Sequence, residues 1–171
     1  MIKKAMAEAI NDQIKKEFYS AYLYLSMASY FEVKTLPGFA TWMRVQAQEE
    51  TAHAMIFFNY LSSRGEAAIL QAIDAPPSKF SSPLAVCKEV LKHEEFVTAS
   101  IHSLMDLAVK GKDYGTMKFL DWFVEEQIEE EATASTLIGR MELIKDDGNG
   151  LFMMDKELGA RIFTPPLPLG A

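Results

Sequence analysis

Four long stretches of this chain carry an apolar stripe at helical spacing, and each stripe is broken by a carboxylate. The first stripe reads Ile10, Glu17, Ala21, Tyr24, Ala28, Phe31. The second reads Phe39, Met43, Gln46, Glu50, His53, Phe57, Tyr60, and the third Cys87, Val90, Glu94, Val97, Ile101, Leu104, Ala108. The fourth reads Phe119, Phe123, Gln127, Glu130, Ala134, Leu137, Met141. Residues three and four apart share one face of a helix, and an apolar face of this kind turns towards a core. The carboxylates therefore point inward, where an unpaired charge is expensive. Something must compensate them.

The punctuation between the stripes sets the architecture. No proline or glycine falls between about residues 5 and 33, and Thr35-Leu36-Pro37-Gly38 ends that helix. A second helix is expected over about Phe39 to Arg64, stopped by Gly65. Residues 66–82 hold Ala75-Pro76-Pro77-Ser78 and Ser81-Ser82-Pro83, which break helical pattern. Ser82 then reads as an N-cap with Pro83 at the first helical position. The third helix runs to about Val109, Lys110-Gly111-Lys112-Asp113 turns the chain, and the fourth runs from about Tyr114 to Lys145. Asp146-Asp147-Gly148-Asn149-Gly150 is a break, a short fifth helix is expected over 153–162, and a proline-rich tail covers 164–171.

Each long helix spans ~40 Å at about 1.5 Å per residue. Two short turns and one long crossover describe an all-α four-helix bundle in which the second and third helices are parallel. The whole of 1–171 reads as one domain, since ~170 residues suffice for one full core.

The polar interruptions are patterned. Glu17 and Glu50 lie 33 residues apart, as do Glu94 and Gln127, and the i,i+3 pair recurs as Glu50/His53 and Gln127/Glu130. This is the signature of a degenerate duplication of a two-helix unit. Two divalent cations between the helices would balance the four charges of Glu17, Glu50, Glu94 and Glu130, with His53 neutral. Hard oxygen ligands with one imidazole suit iron or manganese better than a structural zinc. Glu49, Glu126 and Glu129 flank this set closely enough, with Glu130, to hold another cation beside the pair.

Composition narrows the partners. The formal net charge is -7 and no basic cluster occurs, so nucleic acid is not an expected partner. Cys87 is the single cysteine, which rules out an intrachain disulfide or a CxxC site. No run approaches ~18 uninterrupted apolar residues and the start lacks a signal-peptide core, so no membrane partner and a cytoplasmic location are expected.

On these residues the chain resembles the non-haem ferritins of bacteria and archaea. The resemblance rests on Glu17-Phe-Tyr-Ser-Ala-Tyr-Leu-Tyr24, Ala47-Gln-Glu-Glu-Thr-Ala-His53, Glu94, Phe119 to Glu131, and Met154-Asp-Lys-Glu-Leu158. It covers about residues 5–162. It implies a first iron site at Glu17, Glu50 and His53 and a second at Glu50, Glu94 and Glu130, with Glu50 bridging. It implies a third iron site at Glu49, Glu126, Glu129 and Glu130. Gln127 corresponds to a residue that hydrogen-bonds near the metal, and Tyr24 to a tyrosine beside the centre that can also donate electrons. The implied activity is that of a ferroxidase: Fe²⁺ is oxidised by O₂ or H₂O₂ and stored as ferric mineral inside a hollow homo-oligomer of 24 subunits. The fifth helix fits such a subunit.

The departures are informative. Bacterioferritins place a haem-ligating methionine between the glutamate and histidine of the second helix. Here Thr51 and Ala52 stand there, so no haem is expected at that position. The second Glu-x-x-His of bacterioferritins is replaced by Gln127-x-x-Glu130. A rubredoxin-like module would need more cysteines. The remaining alternative is a soluble di-iron oxidase or peroxidase acting mainly in detoxification.

Overall fold

The computed structural model describes residues 2–145 and 147–166. Asp146, within the predicted break, and the end of the proline-rich tail, 167–171, lie outside them. The described residues form five α-helices and no strand: α1 (Lys4–Val33), α2 (Pro37–Ser63), α3 (Pro83–Gly111), α4 (Tyr114–Ile144) and α5 (Gly148–Leu158).

The helix ends follow local chemistry. Thr35 turns the chain out of α1 at φ 59°, and α2 begins directly at Pro37. Leu36 precedes it and supplies no side-chain cap. Asp155 of α5 fills that role from a distance, its Oδ1 accepting from the Phe39 amide at 3.0 Å. A Cβ on Gly38 would meet the Asp155 carbonyl oxygen at 1.6 Å, so only glycine lets α5 approach this closely. Ser82 caps α3, accepting from the Ala85 amide at 3.1 Å, with Pro83 following. Asp113 caps α4 in the same way through Thr116.

The fifth helix starts five residues before the expected boundary. Asp147 accepts from the Asn149 and Gly150 amides, so the residues that read as a break form a capped first turn. It ends at Leu158, before Gly159, rather than at Ile162.

Side-chain pairings fix the helix directions. Gln13 and Lys16 of α1 meet Ser100, while Ser20 meets His93, so α1 and α3 are antiparallel. Gln46 meets Glu130 and Phe57 stacks on Phe123 at 4.1 Å, so α2 and α4 are antiparallel. Helices α2 and α3 are accordingly parallel, and the crossover must travel the bundle's length. It does so along α1: the Ile69 amide donates to Asn11 Oδ1, Ser26 Oγ donates to the Pro77 carbonyl, and Phe80 packs edge-on to Tyr30.

The core is divided. One apolar cluster gathers Tyr24 to Phe31, Phe39 to Ala47, Val86 to Val90 and Ala134 to Met141, closed by Met154 and Leu158 of α5. The other gathers Ile2 to Ile14, Phe57, Leu61, Val97 to Ala108, Leu120 and Phe123. Between the two clusters lies a polar layer to which every long helix contributes.

Candidate metal centre

The layer is built at mid-helix, where each helix aims one or two side chains inward. Glu17, Glu50, His53 and Glu94 are each no more than 2% exposed, and Gln127 and Glu130 are buried with them. Glu17, Glu50 and His53 each offer a ligand atom, all within 4.8 Å of one another. Glu17 and Glu50 face one another in this cluster, and the charge of each carboxylate disfavours ionisation of the other.

Glu94 completes the layer from α3. Tyr24 Oη donates to its Oε1. Gln127 Nε2 lies 3.3 Å from its Oε2, from its backbone carbonyl and from Thr98 Oγ1. Glu130 Oε2 accepts from Gln46 Nε2 at 2.9 Å. On α1, Gln13 Nε2 donates to Glu17 Oε1 at 2.9 Å. The Gln13 carbonyl accepts from Ser100, which accepts from Lys16. That second contact fixes which way the Gln13 amide faces.

Burial dominates the electrostatics. It pushes the Glu17 carboxyl up to about 7, against the hydrogen bond from Gln13. Burial and then the Glu94 charge push Glu130 up to about 8. Glu50 is raised well above the usual carboxylate range by burial and by the charges of Glu94, Glu17 and Glu130. Burial also raises Glu94. The same burial lowers His53 to about 4, so its imidazole is neutral and free to ligate. Four crowded carboxylates that resist ionisation and one neutral imidazole are what a dication would relieve.

The donor set also leaves buried atoms unpaired. Glu17 Oε2 and His53 Nε2 are buried and have no hydrogen-bond partner. The imidazole lies 3.7 Å from Glu50 and 3.9 Å from Glu126, beyond hydrogen-bond reach. Buried polar atoms are seldom left unpaired, and orphans at a carboxylate–histidine cluster suit ion binding.

The outer acidic group is looser. Glu49 and Glu126 are half-buried and Glu129 is exposed. Burial raises Glu49, with Arg161 opposing, and burial followed by Glu129 and Glu49 raises Glu126. Trp122 packs edge-on to His53, 5.5 Å between ring centroids. Thr51, at the position compared with the haem ligand, is exposed and donates to the Ala47 carbonyl.

Three contributors are absent from the set predicted by sequence: Gln13, Gln46 and Arg161. Gln46 stood on the second stripe and Gln13 lies one turn before Glu17, so periodicity alone could have flagged both. Arg161 carries no such signal, because only the return of the chain after α5 brings it to α2.

Comparison with known proteins gives one consistent result. Residues 7–144 match the family model described as a ferritin-like domain. The bacterial non-heme ferritin of Staphylococcus aureus (strain USA300) is 41% identical over 163 residues, spanning 95% of this chain and 98% of that protein. An open-pore ferritin from the archaeon Archaeoglobus fulgidus is 49% identical, with a TM-score of 0.94, over 95% of this chain and 100% of that one. An engineered closed form of the A. fulgidus ferritin is 50% identical, with a TM-score of 0.95, over 96% and 100%.

Proposed function

Because the chain belongs to the ferritin family, we propose that it is an iron-storage ferritin that oxidises Fe²⁺ at the buried carboxylate–histidine layer. The observation that carries this reading is the buried cluster of Glu17, Glu50 and His53, with ligand atoms within 4.8 Å of one another and with Glu17 Oε2 left without a hydrogen-bond partner. Iron is the substrate here, passing through the centre on its way to the store.

In this reading Glu17, Glu50 and His53 take one ferrous ion. Glu50, Glu94 and Glu130 take a second, with Glu50 shared between them. Each bound Fe²⁺ gives up one electron to O₂ or H₂O₂. The protein's part is to bring the ions together, hold them and manage protons. The protons that burial keeps on Glu17, Glu50 and Glu130 leave as the cations enter, so charge balance is maintained during loading. Tyr24 holds Glu94 Oε1 and in this reading also supplies an electron, while Gln127 orients Glu94 through its second oxygen. Glu49, Glu126 and Glu129, with Glu130, receive a third ion leaving the pair. The ferric product accumulates as mineral inside a hollow shell of 24 copies in the cytoplasm.

Among the described residues no helix is long and apolar enough to cross a membrane. The iron-storing role also follows the relatives, named as ferritins, over almost the full chain.

Anaerobic Fe²⁺ titration of the metal-free protein, followed by oxygen and sizing, tests the proposal. It expects saturation at about two to three Fe per subunit, fast oxidation, then uptake of far more iron by a large assembly. Saturation at two with no further uptake, in a small oligomer, would replace storage with a di-iron oxidase.

A further inference from the structure

Arg161 lies beyond the end of α5 and reaches back to α2. Its Nη2 is 2.7 Å from Glu49 Oε2, its Nη1 donates to Gln46 Oε1, and its guanidinium carbon is 4.9 Å from the Trp42 ring centroid. The pair is only partly open to solvent, with Arg161 27% and Glu49 16% exposed, so screening is incomplete.

The direction of these hydrogen bonds matters. A guanidinium only donates. Gln46 must therefore turn its carbonyl oxygen to Arg161, which leaves its amide nitrogen for Glu130 Oε2 at 2.9 Å. One cation thus governs two carboxylates, Glu49 directly and Glu130 through Gln46. Both belong to the outer group that would hold a third iron ion. A fixed positive charge at Glu49 opposes a dication there twice, by occupying a ligand and by repulsion. The stacking on Trp42 gives the guanidinium a defined seat.

We propose that Arg161 is a tethered counter-cation for the outer carboxylates, which must release Glu49 before a third iron ion can bind. The inference rests on the ferroxidase reading above. It makes the segment after α5 a control on the third position: the clamp keeps affinity there low, so iron leaves the pair without lodging beside it. Arg161 touches no proposed ligand of the first site; it acts on Glu130 of the second through Gln46 and, as a smaller effect, through its charge.

The test is anaerobic Fe²⁺ calorimetry on the assembled full chain, native and Arg161→Gln, together with hydrogen exchange over residues 159–166 of the native protein. In R161Q the third step is expected to tighten at least tenfold while the paired steps stay within about twofold. Arg161→Lys, which keeps the charge without the fork, is expected to fall between. In the native protein the Ala160 and Arg161 amides, bonded to the Glu157 and Leu158 carbonyls, are expected to exchange faster when the third equivalent binds. An unchanged third step in R161Q overturns the proposal. Should R161Q fail to assemble, constant protection of 159–166 through the third equivalent overturns it instead. Absence of paired binding in the native protein removes the ferroxidase reading itself, a separate outcome.

Discussion

The α1–α2 pair and the α3–α4 pair present ligands at the same spacing, yet they are prepared differently. In the first pair Glu17 Oε2 and His53 Nε2 wait without partners. In the second, Glu94 receives Tyr24 on one oxygen and Gln127 on the other, and Glu130 receives Gln46. The spacing repeats while the chemistry differs. Glutamine stands in the fourth helix where Glu50 stands in the second, and Glu130 where His53 stands. A cation entering the first half displaces little. One entering the second must compete with existing donors. The first half is therefore expected to load before the second.

In the proposed centre Glu50 is the ligand shared by the two halves, so its loss should have the largest effect. Replacing it with alanine is expected to abolish both paired binding steps in calorimetry and to slow Fe²⁺ oxidation by at least ~10²-fold. Retention of the first step at native affinity in that variant would separate the halves and remove Glu50 as a bridge. His53→Ala comes next. It is expected to weaken the first step roughly 10- to 100-fold while leaving the second nearer its native value. If the second step weakens more, the order of loading inferred from the orphaned atoms is wrong.

Proton linkage distinguishes the halves without mutating a whole ligand away. Glu17 and Glu130 hold protons in the folded metal-free protein up to about 7 and about 8, against 4.5 for a free glutamate. Their folded pKa is raised, so their contribution to stability is fully present below pH 4.5 and is lost as pH rises through 7 and 8. His53 and His93 work the other way, lowered from 6.5 to about 4, and destabilise the fold as pH falls through that window. Between pH 6.5 and 8 the carboxylates act alone. The metal-free protein's Tm is expected to fall by a few degrees over that range, and a bound dication to remove the fall. Glu17→Gln should flatten the lower part and Glu130→Gln the upper. A flat Tm in the unmutated metal-free protein would mean the layer is not desolvated as drawn.

The stripes made most of this readable in advance, because helical periodicity exposes any polar residue that interrupts a core face. The helices and the convergence of Glu17, Glu50 and His53 follow from that pattern, and the long crossover from the breaks at Ala75-Pro76-Pro77-Ser78 and Ser81-Ser82-Pro83. What escaped it depends on contacts between elements distant in sequence. Asp155 caps α2 from α5, and Asp147 turns a glycine-rich break into the start of a helix. Arg161 meets Glu49 across 112 residues. The role of Gln13 is set by Ser100, which no property of α1 announces.

Tyr24 offers the smallest and most selective perturbation. It lies wholly buried between the polar layer and Trp42, whose ring is 6.4 Å away, and its hydroxyl serves Glu94. Burial and the charges of Glu94, Glu130 and Glu50 raise its pKa well above that of a free phenol, so it stays a protonated donor. Phenylalanine keeps the packing and deletes one hydrogen bond, a loss of about 0.5–1.5 kcal/mol at a neutral donor and up to about 3 at a charged acceptor. That energy should fall on the second half alone. Tyr24→Phe is therefore expected to weaken the second binding step by about threefold to tenfold and leave the first unchanged. A rate loss larger than the binding loss would show that Tyr24 also supplies an electron. An equal effect on both steps would show that the halves are coupled through the layer rather than separately prepared.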